Sequence, residues 1–183
     1  MKQSFLTHRF LLLLMCMVAL IGATCAGFGS TASAHPLSTA VLQCEGSESV
    51  QYQPGLTNTP RPTTITATAT LAPCTVPTQP SITGGSGGYS VSLTASCTAL
   101  AFPDYTEIYH WNDQTQSTVH YMTTVVVRGV SEIVLTSTGT VISGFGLGSL
   151  ATQQETFVNI DFLACLTPQG LPSNGALVLL TFG

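Results

Sequence analysis

Thr64-Ile65-Thr66-Ala67-Thr68-Ala69-Thr70-Leu71 sets a threonine at every even position and an apolar residue at every odd one. Successive side chains of an extended chain point to opposite faces, so this order makes one hydroxylated face and one apolar face. Tyr89-Ser90-Val91-Ser92-Leu93-Thr94-Ala95-Ser96-Cys97 repeats the pattern with serine. Threonine suits the solvent side of a strand because its branched Cβ fits the pleat while its hydroxyl stays hydrated. No stretch of the later chain carries apolar residues at the three- and four-residue spacing of a helix.

Extended outward, the same reading predicts strands near 39–44, 48–53, 63–71, 88–99, 106–112, 117–127, 130–137, 155–165 and 176–182. Pro54-Gly55 with Pro60 and Pro62 separates the second from the third, and Gly144-Phe145-Gly146-Leu147-Gly148 permits a tight bend after the seventh. Gly84-Gly85-Ser86-Gly87-Gly88 is expected to be a hairpin or inter-sheet loop. It is no phosphate cradle, because a strand rather than a helix follows and there is no lysine. Its G-x-S-x-G spelling at Ser86 lacks the strand-to-helix turn of a nucleophile elbow. Eight or nine short strands at this spacing predict an all-β, antiparallel β-sandwich. Its long strands, almost free of charge, are poorly guarded against edge-to-edge pairing.

The chain begins with Lys2 and Arg9, an apolar run from Phe10 to Ile21, and Ala32-Ser33-Ala34. That order is a secretory signal peptide over residues 1–34, cut between Ala34 and His35, with one domain over 35–183. A dozen apolar residues fall short of the roughly 20 needed to span a bilayer. After the cut the chain has Arg61 and Arg128 as its only Lys or Arg residues, against eight acids. This balance argues against nucleic acid or an anionic membrane as partner, since both need clustered basic residues to neutralise phosphate. No stable membrane insertion is expected once the leader is removed. Cys44, Cys74, Cys97 and Cys165 remain, an even count that predicts two disulfides in an exported protein. A hairpin of 48–53 and 63–71, centred near position 59, places Cys44 opposite Cys74 and leaves Cys97 for Cys165. No C-x-x-C pair occurs and no histidine neighbours these cysteines, so no zinc site is expected.

The densest chemistry lies between 102 and 122, where Tyr109, His110, Trp111, His120 and Tyr121 are the candidate ligand-binding residues. A hairpin centred on Thr115 would set His110 opposite His120 and Tyr109 opposite Tyr121. Two imidazoles without a third ligand on their face do not complete a metal site. Asp104, Glu107 and Asp113 supply carboxyls, but two carboxyls act on a glycoside only at a defined separation across a cleft. Serine and threonine are so abundant that strand chemistry alone accounts for them. No catalytic residue and no cofactor is therefore assigned.

Cys97, Trp111 and Cys165 partly resemble an immunoglobulin-type sandwich, in which a tryptophan packs on the disulfide joining two sheets. Leu163 stands where that family's corner tyrosine would be. Cys44, Tyr52-Gln53-Pro54-Gly55-Leu56, Cys74, Ser96-Cys97, Trp111 before Gln116-Ser117-Thr118, and Cys165 are similar to a group of small secreted actinobacterial proteins of unassigned activity. That resemblance implies a lineage and no function.

The expectation is a secreted, non-catalytic module that binds or assembles, such as an adaptor joined by strand addition at a sheet edge. Its partner would be another secreted protein or a cell-surface glycan. The alternatives are a small extracellular hydrolase near His110 and His120, and a carbohydrate-binding module that stacks a sugar on Trp111.

Overall fold

The computed structural model describes residues 41–183 except 101, 130, 131 and 159. The leader and its cleavage point at Ala34 and His35 lie outside the described residues. Eight strands follow one another: β1 (Leu42–Leu56), β2 (Arg61–Thr75), β3 (Gly85–Ala95), β4 (Tyr105–Trp111), β5 (Gln116–Arg128), β6 (Glu132–Gly144), β7 (Leu150–Val158) and β8 (Leu171–Phe182). A 3₁₀ turn, Ala164–Leu166, interrupts the connection from β7 to β8.

Each strand pairs antiparallel with the next, and β8 returns to pair with β1, so one sheet closes into an up-and-down barrel. This overturns the expected sandwich and its immunoglobulin-like variant. Alternation of polar and apolar residues is the same whether a sheet faces a second sheet or curls upon itself. Bulges supply part of the curl. Ala72-Pro73 is inserted in β2, Met122 in β5 and Ile142 in β6, each opposite a shorter run of the partner strand. The seam between β3 and β4 is short, Gly85–Gly88 against Ile108–Trp111, so the later part of β3 and Met122–Arg128 of β5 have no ladder partner on that side.

Other expectations change with it. The predicted strands 39–44 and 48–53 are one continuous β1, because Gly46 lies inside the ladder with β8 opposite Val178. The predicted strand 155–165 ends at Val158, and Cys165 sits in the 3₁₀ turn. The glycine run is not a loop, since Gly85–Gly88 forms the first part of β3 and pairs with β4. A Cβ on Gly85 would stand 2.7 Å from the Trp111 ring, and one on Gly87 2.7 Å from the Tyr109 ring and Glu107 Oε1. These positions are bare because large side chains of β4 fill the space over them.

Both expected disulfides are present. Cys44 and Cys74 are direct partners in the β1–β2 ladder, and Cys97 is bonded to Cys165. Threonine and serine line the outer wall as the alternation requires, with Thr64 bonded to Ser92 (3.0 Å) and Thr66 to Ser90 (3.3 Å). Among the described residues, no helix is long and apolar enough to cross a membrane.

Candidate functional site inside the barrel

Three glutamates occupy positions whose side chains point inward. Glu48 shares its face of β1 with Val50 and Tyr52, Glu107 its face of β4 with Tyr105, Tyr109 and Trp111, and Glu155 its face of β7 with Gln153 and Phe157. All three are buried, Glu107 at 0% exposure and Glu155 at 1%. Small residues on the facing strands, Ala67 and Ala69 of β2 and Gly87 of β3, leave the volume these side chains occupy.

Tyrosines and one amide run through the same layer. The Tyr109 and Tyr121 hydroxyls are 2.8 Å apart, and Tyr109 donates to Gln153 Oε1. Gln153 Nε2 in turn donates to Glu155 Oε1 at 2.8 Å. The remaining carboxyl oxygens are left over: both of Glu48, both of Glu107, and Oε2 of Glu155 have no hydrogen-bond partner among the described residues. An unpaired buried polar atom forfeits its hydration without return, which costs roughly 1–3 kcal/mol and more for a charged group. Such atoms in a native core call for an explanation, whether strain, an ordered water, an ion or a functional role.

Burial governs the protonation of all three acids. Loss of hydration pushes Glu107 up to about 8, with the charge of Glu155 adding to the rise and nearby Tyr109 and Gln153 offsetting part of it. Glu48 and Glu155 are raised by the same desolvation and titrate as a pair. The charges of Glu155 and Glu107 add to the rise at Glu48, and the hydrogen bond from the Gln153 amide offsets part of the rise at Glu155. The hydroxyls of Tyr52, Tyr89, Tyr105, Tyr109 and Tyr121 are all pushed above their ordinary value by burial. They remain neutral donors at physiological pH.

The two ends of the barrel differ. At the end bearing the β4–β5 turn, Trp111 stacks on Tyr109 (5.7 Å between ring centres), and both meet the edge of Phe182. The Trp111 Nε1 donates to Ser117 Oγ at 2.9 Å, which fixes this plug. Towards the other end lies a cavity lined by aliphatic residues such as Val50, Ile65, Ile133, Leu135 and Leu171, with Phe102 and Phe157. Tyr52, Tyr89 and Glu155 are also in its wall. The volume of this cavity is about 30 Å³. The cavity is thus a slot, and a guest larger than a water or two must part the side chains that line it. Cys97 and Leu100 from the β3–β4 connection and Ile160 from the β7–β8 connection border it, and the Cys97–Cys165 bridge ties these two connections together.

The candidates of the 102–122 segment divide between the two faces. Tyr109, Trp111 and Tyr121 point inward, and Trp111 is only 4% exposed. His110 and His120 point outward, on the opposite face of the same strands. They are not opposed: His110 pairs with Gln116, His120 with Thr106, and Tyr121 with Tyr105. The hairpin turns two residues earlier than expected because Asn112-Asp113-Gln114 forms a three-residue loop, with Gln114 at φ 71° and Trp111 N–H bonded to Thr115 O. Asp113 accepts from Thr115, Gln79 and Ser81, and Asp104 lies 3.9 Å from His120. Asp104 is exposed and Asp113 lies in the β4–β5 turn, whereas Glu107 is buried inside the barrel. Among the described residues no group of three His, Cys, Asp or Glu side chains is arranged to hold a metal ion.

Glu48, Gln153 and Glu155 were not among the residues singled out by sequence. The signal was the parity of each position, which places them on the same face as large apolar neighbours. Compared with known protein families, curated proteins and solved structures, the chain matches none. The chemistry of the interior is then the ground for a functional reading.

Proposed function

We propose that this protein is a secreted, non-catalytic binding barrel that holds a small, mainly apolar molecule in its interior. One observation carries the reading: an aliphatic and aromatic slot whose wall includes a buried carboxyl, Glu155, with an oxygen left unpaired. Ligand sites in proteins are mostly apolar concavities with a few polar groups that fix orientation, and an eight-stranded barrel is wide enough to be filled by side chains or to hold one small ligand. The two disulfides support placement in an oxidising compartment outside the cytosol. The buried Trp111 offers no outer platform for a sugar. The outward histidines share no cleft with the carboxyls, so a hydrolytic site at 110 and 120 gains no support.

A titration of 1-octanol into the disulfide-bonded protein, followed by calorimetry, tests the proposal. The expected result is saturable 1:1 binding with a negative heat-capacity change, the mark of buried apolar surface. An Ile133→Trp variant, which fills the slot, should bind at least tenfold more weakly. No saturable heat, or equal affinity in the variant, would refute it.

A further inference from the structure

We infer that the molecule held in the barrel carries a cationic amine head seated against Glu155 and Glu48, with its apolar body directed towards the mouth. This rests on the binding reading above and adds the chemistry of the head group. Three carboxyl side chains face into the barrel, and five of their six oxygens lack a partner. No basic side chain faces them among the described residues. Arg61 is turned to the carbonyls of Gly55 and Gln169, Arg128 to the carbonyl of Cys97, and both histidines are on the outer wall.

Glu155 and Glu48 flank β8 from either side, where Glu155 pairs with Val178 and Glu48 with Ala176, two residues along, and both side chains face inward. Glu155 is also in the cavity wall, with Tyr52, Tyr89 and Asn174 as the other polar residues there, and its Oε2 has no hydrogen-bond partner. An ammonium carries three donors and no acceptor, the complement of carboxylate oxygens that have lost their water. Tyr52 and Tyr89, in the same wall, add ring faces that attract a cation. A neutral alcohol brings one donor against the three of an ammonium, and a carboxylate guest would add a fourth acid to a site without a base.

The acids are held protonated by burial, so seating a cation displaces a proton. Binding should therefore release protons to the buffer and tighten as pH rises from 5.5 to 7.5. The groups facing Glu155 are Glu48, Glu107, Tyr52, Tyr89, Tyr105 and Tyr121. The tyrosines stay neutral throughout this range, which leaves the carboxyls as the source of the proton.

Octylamine, 1-octanol and octanoate, compared by calorimetry at pH 5.5 and 7.5 in two buffers of different ionisation heat, test the inference. At pH 7.5 octylamine should bind at least tenfold more tightly than octanol, with octanoate weakest and proton release seen only for the amine. Glu155→Gln, which keeps the shape of the side chain, should bring the amine to the level of octanol while octanol changes less than about twofold. Equal affinity of amine and alcohol in the unaltered protein would overturn the cationic head and leave the apolar guest standing. So would an amine preference that survives Glu155→Gln and Glu48→Gln. Failure of all three compounds to bind would overturn both readings.

Discussion

Glu107 carries the energetics of the interior to a measurable end. Its carboxyl is fully buried, neither oxygen has a partner, and its proton is held up to about 8 against an ordinary value of 4.5. Between those two values the native protein keeps a proton that the unfolded chain has lost, so stability falls as pH rises. The slope for one such group is about 1.4 kcal/mol per pH unit, which accumulates to about 3 kcal/mol between pH 4.5 and 7. Glu107→Gln removes the titration and keeps the shape. Urea unfolding with the disulfides intact, followed by Trp111 fluorescence at pH 4.5, 6 and 7, gives the comparison. Relative to the unaltered protein, the variant should gain about 3 kcal/mol on going from pH 4.5 to 7, whatever its offset at pH 4.5. Asp113, which hydrogen bonds hold below its ordinary 3.8, has the opposite sign but acts below this window. Parallel stability curves for the two proteins, or stability that rises from pH 4.5 to 7, would show that the buried acid does not govern the balance.

Further expectations concern the frame around the site. Gly87→Ala places a methyl 2.7 Å from Glu107 Oε1 and the Tyr109 ring, so overpacking should lower stability by about 1–3 kcal/mol in thermal unfolding. Trp111→Phe loses the Nε1 bond to Ser117 and should cost about 1–3 kcal/mol by the same assay. Replacing Cys97 and Cys165 together by serine opens a 68-residue separation and should cost about 4 kcal/mol on the loop-closure argument. In that variant, amide exchange should quicken first in the β3–β4 and β7–β8 connections that border the cavity. Unchanged exchange there would mean the bridge does not hold the mouth together.

Much of the architecture was legible residue by residue. The alternation at 64–71 determined that β2 is a strand, and that its threonines face water, because an extended chain has no other way to arrange successive side chains. The pairing of Cys44 with Cys74 was expected from a hairpin centred at 59. The ladder near the turn is one residue short of that register, with Gln53 opposite Thr64, and the extra residue at Ala72-Pro73 is what brings the cysteines into line. The glycine run misled, because the same residues that open a loop also make room inside a strand for the rings of Tyr109 and Trp111. The His110–His120 pair misled because a hairpin's register depends on the turn, and Gln114 accepts a positive φ that shortens it. What only the tertiary structure decided is closure. A strand's alternation states which side is inward but not what lies across from it, and the contact of β1 with β8 joins segments at opposite ends of the domain. Glu48, Glu107 and Glu155 come from β1, β4 and β7, and each alone is an acid among apolar neighbours. Closing the sheet brings them into one desolvated space, and burial together is what gives them their chemistry.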